Sequence, residues 1–181
     1  MNIRDSSSRY GLVAIAVHWI AAAVVIGLFA LGFWMVDLTY YHDWYKKGPD
    51  IHRSVGILLL GLMVFRVLWR GANKGPDPVP GHERWEVIGA RAAHVVLYVL
   101  LFAAMVSGYL ISTADGSAIS VFGWFDVPSV TGQIKGLEDT AGDIHYWSTL
   151  AVVVLAAIHA AGALKHHLID RDDTLRRMLG R

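Results

Sequence analysis

Four long apolar runs, separated by polar segments, set the pattern of hydrophobic and polar positions along this chain. They cover residues 11–36, 51–69, 92–111 and 144–164. As helices that rise 1.5 Å per residue, runs of this length cross a hydrocarbon core of about 30 Å. The first run exceeds the apolar region of about 7–15 residues in a cleavable signal peptide, which favours a retained spanning helix. The pattern predicts an all-α, integral membrane four-helix bundle formed as a single domain over residues 1–181.

The segments between the runs are rich in turn residues and polar side chains. Residues 40–50 resemble a polar, aromatic loop with a Gly-Pro break. Residues 71–81 hold three prolines and predict a second loop, after which residues 84–91 are expected to begin the third helix before it enters the bilayer. The connection 113–143 contains an apolar, aromatic stretch, residues 119–128, which is expected to lie along the membrane interface.

Lysine and arginine are distributed unevenly between the two ends of the expected bundle. Of the 16 in the chain, four lie at the end formed by the first and third connections, which leaves the other twelve at the end that carries both termini. The positive-inside rule therefore predicts that both termini are cytoplasmic, as in a multi-pass protein of a bacterial inner membrane. The four on the outer side are Lys46, Lys47, Arg53 and Lys135.

The composition limits the cofactors and partners that the chain can bind. The chain is 55% hydrophobic and 17% charged, against about 25% charged residues in an average soluble domain. Its net charge of +1 gives no argument for nucleic acid, and the expected surroundings are a lipid bilayer. The absence of cysteine excludes disulfides, iron–sulfur clusters and thioether-attached haem. Histidine, with nine copies, is the candidate ligand.

Two histidines in the fourth run organise the candidate site. His145 and His159 are 14 residues apart, nearly four helical turns, so they project from one side of the helix about 21 Å apart along its axis. His18 lies about 10 Å from the inner end of the first run, level with His159. His52 begins the second run, level with His145. The depths predict two histidine pairs, His18 with His159 and His52 with His145.

These histidines allow three interpretations. Hydrogen-bonded structural histidines explain a single copy, although ionisable groups within spans are costly. Zinc or copper transport would need carboxylate or sulfur ligands, which the middle of these spans lacks. Four histidines at paired depths favour two haems b, each with two axial imidazoles, which carry electrons and leave no position for oxygen.

Other charged and ionisable residues suggest routes to these sites. His94, His166 and His167 are expected to gather at the inner surface, where His94 and His166 would bind and protonate a quinone; the alternative is that they are solvated interfacial histidines. Lys46, Lys47, Arg53 and Lys135 would steer a small anion to the outer site, or they are scattered loop charges.

The four spans carry a recognisable set of segments. These are AVHWI in the first, DIHRSVGILLLGLMVFRVLWR in the second, RAAHVVLYVLLFAAMVSGYL in the third and DIHYWSTLAVVVLAAIHAAGALKHHLIDRDDTLRRML in the fourth and its tail. Over residues 10–179 the chain resembles the prokaryotic cytochrome b561 family of di-haem membrane cytochromes. The resemblance implies the same pairing, His18 with His159 and His52 with His145. It is greatest to short members that pass electrons from superoxide to ubiquinone, whose third-span and late fourth-span histidines match His94 and His166.

Two functions remain open at this point. The first is an enzyme, a superoxide:ubiquinone oxidoreductase. The second is a cytochrome b electron-transfer subunit that serves a partner dehydrogenase or hydrogenase. A haem-free, histidine-lined transporter is disfavoured because the paired depths suit haem better.

Overall fold

The computed structural model of this chain describes residues 2–79 and 81–180. Its long helices are α1 (Leu12–Met35), α2 (Trp44–Ala72), α3 (Arg84–Thr113) and α4 (Leu137–Leu168). An antiparallel hairpin of β1 (Ile119–Val121) and β2 (Phe125–Val127) separates α3 from α4, and the short helix α5 (Thr174–Met178) follows α4. Each of the four long helices is long and apolar enough to cross a membrane. The predicted all-α, multi-pass membrane bundle is confirmed.

The helices extend beyond the apolar runs at their polar ends. The expectation that residues 84–91 begin the third helix is confirmed, because α3 starts at Arg84. A capping box explains this start: Glu83 and Glu86 each accept a hydrogen bond from the other's backbone N–H. The start of α4 carries Glu138 and Asp139 in its first turn, where carboxylates interact favourably with the helix dipole.

The prediction of a loop at residues 40–50 is wrong for residues 44–50, which are helical. The helix α2 begins at Trp44 and contains Pro49 in its second turn. Proline removes only the N–H that would bond to the carbonyl of Tyr45, and so close to the helix start the loss is limited. Gly48 is buried beneath α1, where an added Cβ would lie 3.4 Å from the Cβ of Met35. Packing against α1 therefore holds this segment helical.

The helices associate as two close pairs, α1 with α2 and α3 with α4, and the contact between α2 and α3 is smaller. Ala21, Leu59 and Met63 form a buried cluster halfway along the bundle. Large apolar side chains such as Ile26 and Val99 are exposed on the outside, as expected of residues that face lipid. The two helix pairs leave a space between them that positions the candidate site.

The hairpin after α3 was not predicted from the sequence. Ile119 and Val121 are buried, and β1 packs against α2. The hydroxyl of Ser54 accepts a hydrogen bond from the backbone N–H of Phe122 at 3.1 Å, which fixes the hairpin to α2. At the tip, Trp124 is 75% exposed. The stretch 119–128 thus covers one end of the bundle with a buried strand and presents aromatic residues outward.

Candidate functional site

Each of the four long helices carries two residues of the candidate site, 14 positions apart. Nearly four turns separate the members of each pair, so they share a helix face and differ in depth by about 21 Å. The residues form two layers. The outer layer contains Gly32, His52, Gly108 and His145, and the inner layer contains His18, Arg66, His94 and His159.

In the outer layer, two histidine rings face each other between the helix pairs. The ring centroids of His52 and His145 are 6.1 Å apart, with their planes at 72°. Both rings line a cavity of about 1320 Å³ between the helices. An added Cβ would lie 3.1 Å from His52 Cε1 at Gly32 and 3.0 Å from His145 Cε1 at Gly108. Glycine at these two positions therefore lets each ring lie directly against a neighbouring backbone.

Hydrogen bonding orients one ring of the outer pair. The Nδ1 of His145 lies 2.8 Å from the carbonyl oxygen of Ala104. A carbonyl only accepts, so Nδ1 donates and Nε2 keeps its lone pair for a ligand. Among the described residues, the buried Nδ1 of His52 has no hydrogen-bond partner. A buried polar atom without a hydrogen-bond partner costs free energy, so this ring is a candidate for binding a ligand.

The inner layer is more crowded. The ring centroids of His18 and His159 are 6.4 Å apart, and those of His94 and His159 are 5.0 Å apart. The guanidinium of Arg66 lies 3.0 Å from His18 Nδ1 through its Nη2. Because arginine is only a donor, His18 Nδ1 accepts this bond and the proton of the neutral ring is on Nε2.

The ring of His94 lies closer to the inner ring pair than its place near the start of the apolar run suggested. The helix α3 begins ten residues earlier, at Arg84, so His94 lies about 15 Å along it. Its ring is closer to His159 than the ring of His18 is. Depth counted along the apolar run separated His94 from His18 in the sequence, whereas the structure brings both rings near the ring of His159.

The two predicted pairs fit an iron with two axial imidazoles. Two nitrogens on opposite sides of a metal, each about 2 Å from it, place the ring centroids roughly 6 Å apart. The separations of 6.1 Å for His52 with His145 and 6.4 Å for His18 with His159 suit this arrangement. The free Nε2 of His145 and the unpartnered ring of His52 suit it as well. Coordination through His18 Nε2 would require Arg66 to release Nδ1, because that nitrogen must then carry the proton.

The predicted outer cations divide into two sets. Arg53 and Lys135 line the cavity that contains His52. Arg53 also forms an ion pair with Asp50. Lys46 and Lys47 are exposed on the first turn of α2 and do not belong to the described residues that line this cavity. The structure brings two of the four cations to the outer site.

The predicted quinone residues lie apart from each other. His94 contacts the ring of His159, whereas His166 lies near Glu86 and within 3.1 Å, through Nδ1, of Asp172 Oδ2. Glu86 is eight residues, or about 12 Å, before His94 in α3. His166 therefore lies nearer the inner end of the bundle than His94 does, by more than two helical turns of α3.

A second polar cluster surrounds His166 at the inner end. The Nε2 of His82 lies 2.7 Å from Asp172 Oδ2, and His166 Nδ1 lies 2.8 Å from Asp170 Oδ2. Burial raises the pKa of Asp172, but hydrogen bonds from His82 and from Thr174 outweigh it and hold that pKa at about 2. Asp172 is therefore ionised at neutral pH. His82 lies in a polar loop, and sequence reasoning gave it no role.

The sequence contains a signal for the glycines that reasoning on the histidines missed. Gly32 follows His18, and Gly108 follows His94, at the same spacing of 14 that separates His145 from His159. Applying that spacing to all four helices would have found both glycines.

Comparisons with known proteins agree with this architecture. A family model described as prokaryotic cytochrome b561 matches residues 9–181. Cytochrome b561 homolog 2 of Escherichia coli (strain K12) is 52% identical over 181 residues, which cover 100% of this chain and 96% of the relative. Cytochrome b561 homolog 1 of the same strain is 29% identical, covering 96% of this chain and 98% of the relative. A probable superoxide oxidase CybB of Yersinia pestis is 30% identical, covering 94% and 96%.

Proposed function

The chain belongs to the prokaryotic cytochrome b561 family of electron-transfer membrane proteins that bind haem b, and on that premise we propose that it carries two haems b. His52 and His145 would hold the outer one, and His18 and His159 the inner one. The observation that carries this proposal is the match of the two ring separations, 6.1 and 6.4 Å, at two depths. With two imidazole ligands, haem supplies one-electron transfer and offers no open position to oxygen.

The proposed orientation places both termini in the cytoplasm, in a bacterial inner membrane. It rests on the excess of lysine and arginine at the end that carries the termini. The hairpin and the outer layer would then face the side opposite the cytoplasm. The polar cluster of His82, His166 and Asp172 would lie at the cytoplasmic surface.

The proposed reaction is oxidation of superoxide coupled to reduction of ubiquinone. Two superoxide anions each lose one electron and become dioxygen, and one ubiquinone takes up two electrons and two protons to become ubiquinol. Arg53 and Lys135 at the cavity that contains His52 would attract the anion locally. The similarity to the probable superoxide oxidase of Yersinia pestis supports this choice of donor.

The inner residues would provide the protons that quinone reduction requires. His94, beside the inner ring pair, would hydrogen-bond the quinone head group. His166 would deliver protons from the cytoplasmic surface, since its ring lies among the carboxylates of Asp170 and Asp172. An imidazole has one nitrogen that donates a proton and one that accepts, which suits this role.

The test is anaerobic addition of superoxide to purified, oxidised protein with a ubiquinone analogue. We expect rapid appearance of the reduced haem spectrum, followed by ubiquinol with one quinol formed per two superoxide consumed. Superoxide dismutase, added first, should abolish both. Haem reduction that is no faster than with the dismutase present would contradict the enzyme.

A second function is favoured by the exposed hairpin. Trp124 is 75% exposed and Phe125 about half exposed on the side of the outer layer, where a partner subunit could dock and deliver electrons. Isolation of the chain from native membranes distinguishes the two functions. A dehydrogenase or hydrogenase recovered in equal amount would identify the chain as an electron-transfer subunit, whereas full superoxide activity of the isolated chain supports the enzyme.

A further inference from the structure

Three side chains from two separate segments converge at the inner end of the bundle. His82 precedes α3, whereas His166 belongs to the last turn of α4 and Asp172 to the tail beyond it. Their candidate ligand atoms all lie within 4.8 Å of one another. Asp172 Oδ2 is 2.7 Å from His82 Nε2 and 3.1 Å from His166 Nδ1. One carboxylate oxygen thus faces two imidazole nitrogens.

The geometry of His166 is not that of an ordinary hydrogen bond. Its Nδ1 lies 2.8 Å from Asp170 Oδ2 and 3.1 Å from Asp172 Oδ2. Even so, no described residue is aligned to form a hydrogen bond with that buried nitrogen. Nitrogen and oxygen atoms that lie this close without a hydrogen bond between them could coordinate a common ion. That arrangement is typical of ligands around a metal ion, which in a tetrahedral zinc site lie about 3.3 Å apart.

The carboxylate of Asp172 is held in place by its other oxygen. Oδ1 accepts a hydrogen bond of 2.8 Å from the backbone N–H of Thr174, at the start of α5. This bond leaves Oδ2 free to face the two histidines. The side chains of His82, His166 and Asp172 are each about 15% exposed, so an ion would reach them from the inner surface.

The charge of the cluster also favours a cation. The carboxylates of Glu86, Asp170 and Asp172 surround His166. Among the described residues, the ammonium of Lys165 pairs with two of them, at 2.8 Å from Glu86 and 2.7 Å from Asp170. Three carboxylates against one ammonium leave an excess of negative charge. Two imidazoles and a carboxylate form a ligand set that zinc takes in proteins, with water in the fourth position.

We propose that His82, His166 and Asp172 form a binding site for a divalent transition-metal ion of the zinc class. Bound there, the ion joins the segment before α3 to the tail after α4 and so ties both to the inner end of the bundle. Binding would displace the proton that His82 shares with Asp172. An imidazole whose Nδ1 holds a metal cannot pass protons through that nitrogen, so the ion would also inhibit quinone reduction. This last consequence rests on the proposed function, whereas the binding itself does not.

The experiment measures Zn²⁺ binding to the full-length, haem-loaded protein, purified without a histidine tag. After equilibration with buffered Zn²⁺, zinc and iron per chain are determined together by mass spectrometry. We expect about one tightly bound zinc per chain. The affinity should fall at least about tenfold in Asp172→Asn and in His82→Gln, since the loss of a second-shell partner alone costs about 10–100-fold. Asparagine keeps an oxygen for the N–H of Thr174, so Asp172→Asn should preserve the tail.

The matched control is Asp173→Asn, which changes the next residue. Asp173 is 60% exposed and pairs with Arg176 outside the cluster. It should bind zinc as the unmodified chain does, and unchanged iron in all variants shows that the bundle is intact. The proposal is overturned if the unmodified chain retains no zinc, or if Asp172→Asn and His82→Gln bind it as tightly as Asp173→Asn.

Discussion

The outer and inner layers each take one residue from every long helix, but the residue types at the equivalent positions differ. In the outer layer two histidines face two glycines, and the space between them is open. In the inner layer the positions of the glycines are taken by His18 and His94, and Arg66 stands where the outer layer has His52. The same spacing of 14 residues thus relates two different sites. Glycines leave space in the outer one, and ionisable side chains fill the inner one.

This difference suggests a division of labour. An open, largely apolar cavity with Arg53 and Lys135 in its lining suits entry of a small anion and electron transfer alone. A layer with three imidazoles and a guanidinium suits a reaction that also moves protons. The buried cluster of Ala21, Leu59 and Met63 lies between the two layers and separates them with apolar packing. Changes in one layer should therefore leave most of the other intact.

The largest expected effects come from removing one histidine of α4 at a time. His145→Ala should empty the outer site and keep much of the inner one, and His159→Ala should do the reverse, because about 21 Å separates the two positions along the helix. A pyridine haemochromogen assay should show a fall from about two haems to about one per chain. Equal loss of both haem signals in each variant, in protein shown to be inserted, would mean that the two layers load as one unit.

His94 is the sharpest test of the inner layer. Its ring lies 5.0 Å from that of His159, less than the roughly 6 Å that suits two ligands on opposite sides of an iron. His94→Ala should therefore keep both haem spectra and lose most quinone reduction. His18→Ala should remove the inner haem signal. The reverse result, in which His94→Ala loses the inner haem, would make His94 the ligand and His18 its neighbour.

Alanine substitution of the two outer-layer glycines should weaken outer haem binding more than alanine substitution of other glycines on the same helices. Gly32→Ala and Gly108→Ala would each press a Cβ against a histidine ring at 3.0–3.1 Å. Such overpacking costs about 1–3 kcal/mol. We expect weaker outer haem binding, measured by haem titration, with the inner haem unchanged. Gly27→Ala and Gly89→Ala are the controls, since an added Cβ there meets no other atom within 4 Å.

Arg66 should raise the midpoint potential of the inner haem. Its guanidinium lies beside the His18 ring. A cation that stays near the inner site after releasing His18 Nδ1 would favour the reduced state of an iron centre. Arg66→Gln should lower the midpoint potential of the inner haem by about 60 mV, which corresponds to a tenfold change for a one-electron couple. A spectroscopic redox titration measures both haems together, and the outer potential should not move. Arg70→Gln, one turn away, should have a smaller effect, and an equal shift would indicate a general surface field.

The smallest expected effects concern the cations at the outer cavity. Arg53→Ala and Lys135→Ala should each slow haem reduction by superoxide about two- to tenfold, and added salt should reduce the difference. Lys46→Ala is the matched control because Lys46 does not line the cavity. Stopped-flow measurement at two ionic strengths checks this. Rates that do not respond to salt, to Arg53→Ala or to Lys135→Ala would remove the argument for steering.

Much of the fold was accessible from the sequence because each element depends on local composition. Apolar runs of sufficient length predict spanning helices whatever they pack against. The spacing of His145 and His159 likewise depends only on helix geometry. These features predicted the helical bundle, the depths of the two histidine pairs and the start of the third helix. The same reasoning failed at residues 44–50, where packing of Gly48 against α1 keeps a polar, proline-containing segment helical.

The tertiary structure decided which residues face which across helices. Depth along a span is a property of one helix, but contact between His94 and His159 depends on how closely α3 packs against α4. The hairpin at 119–128 and the convergence of His82 with Asp172 join segments far apart in the chain. The sequence by itself determined the membrane bundle and its two histidine levels, because hydrophobic length and helical repeat are local. Only the packed helices decided that one level is open and the other crowded, because that depends on side chains from all four helices meeting in one plane.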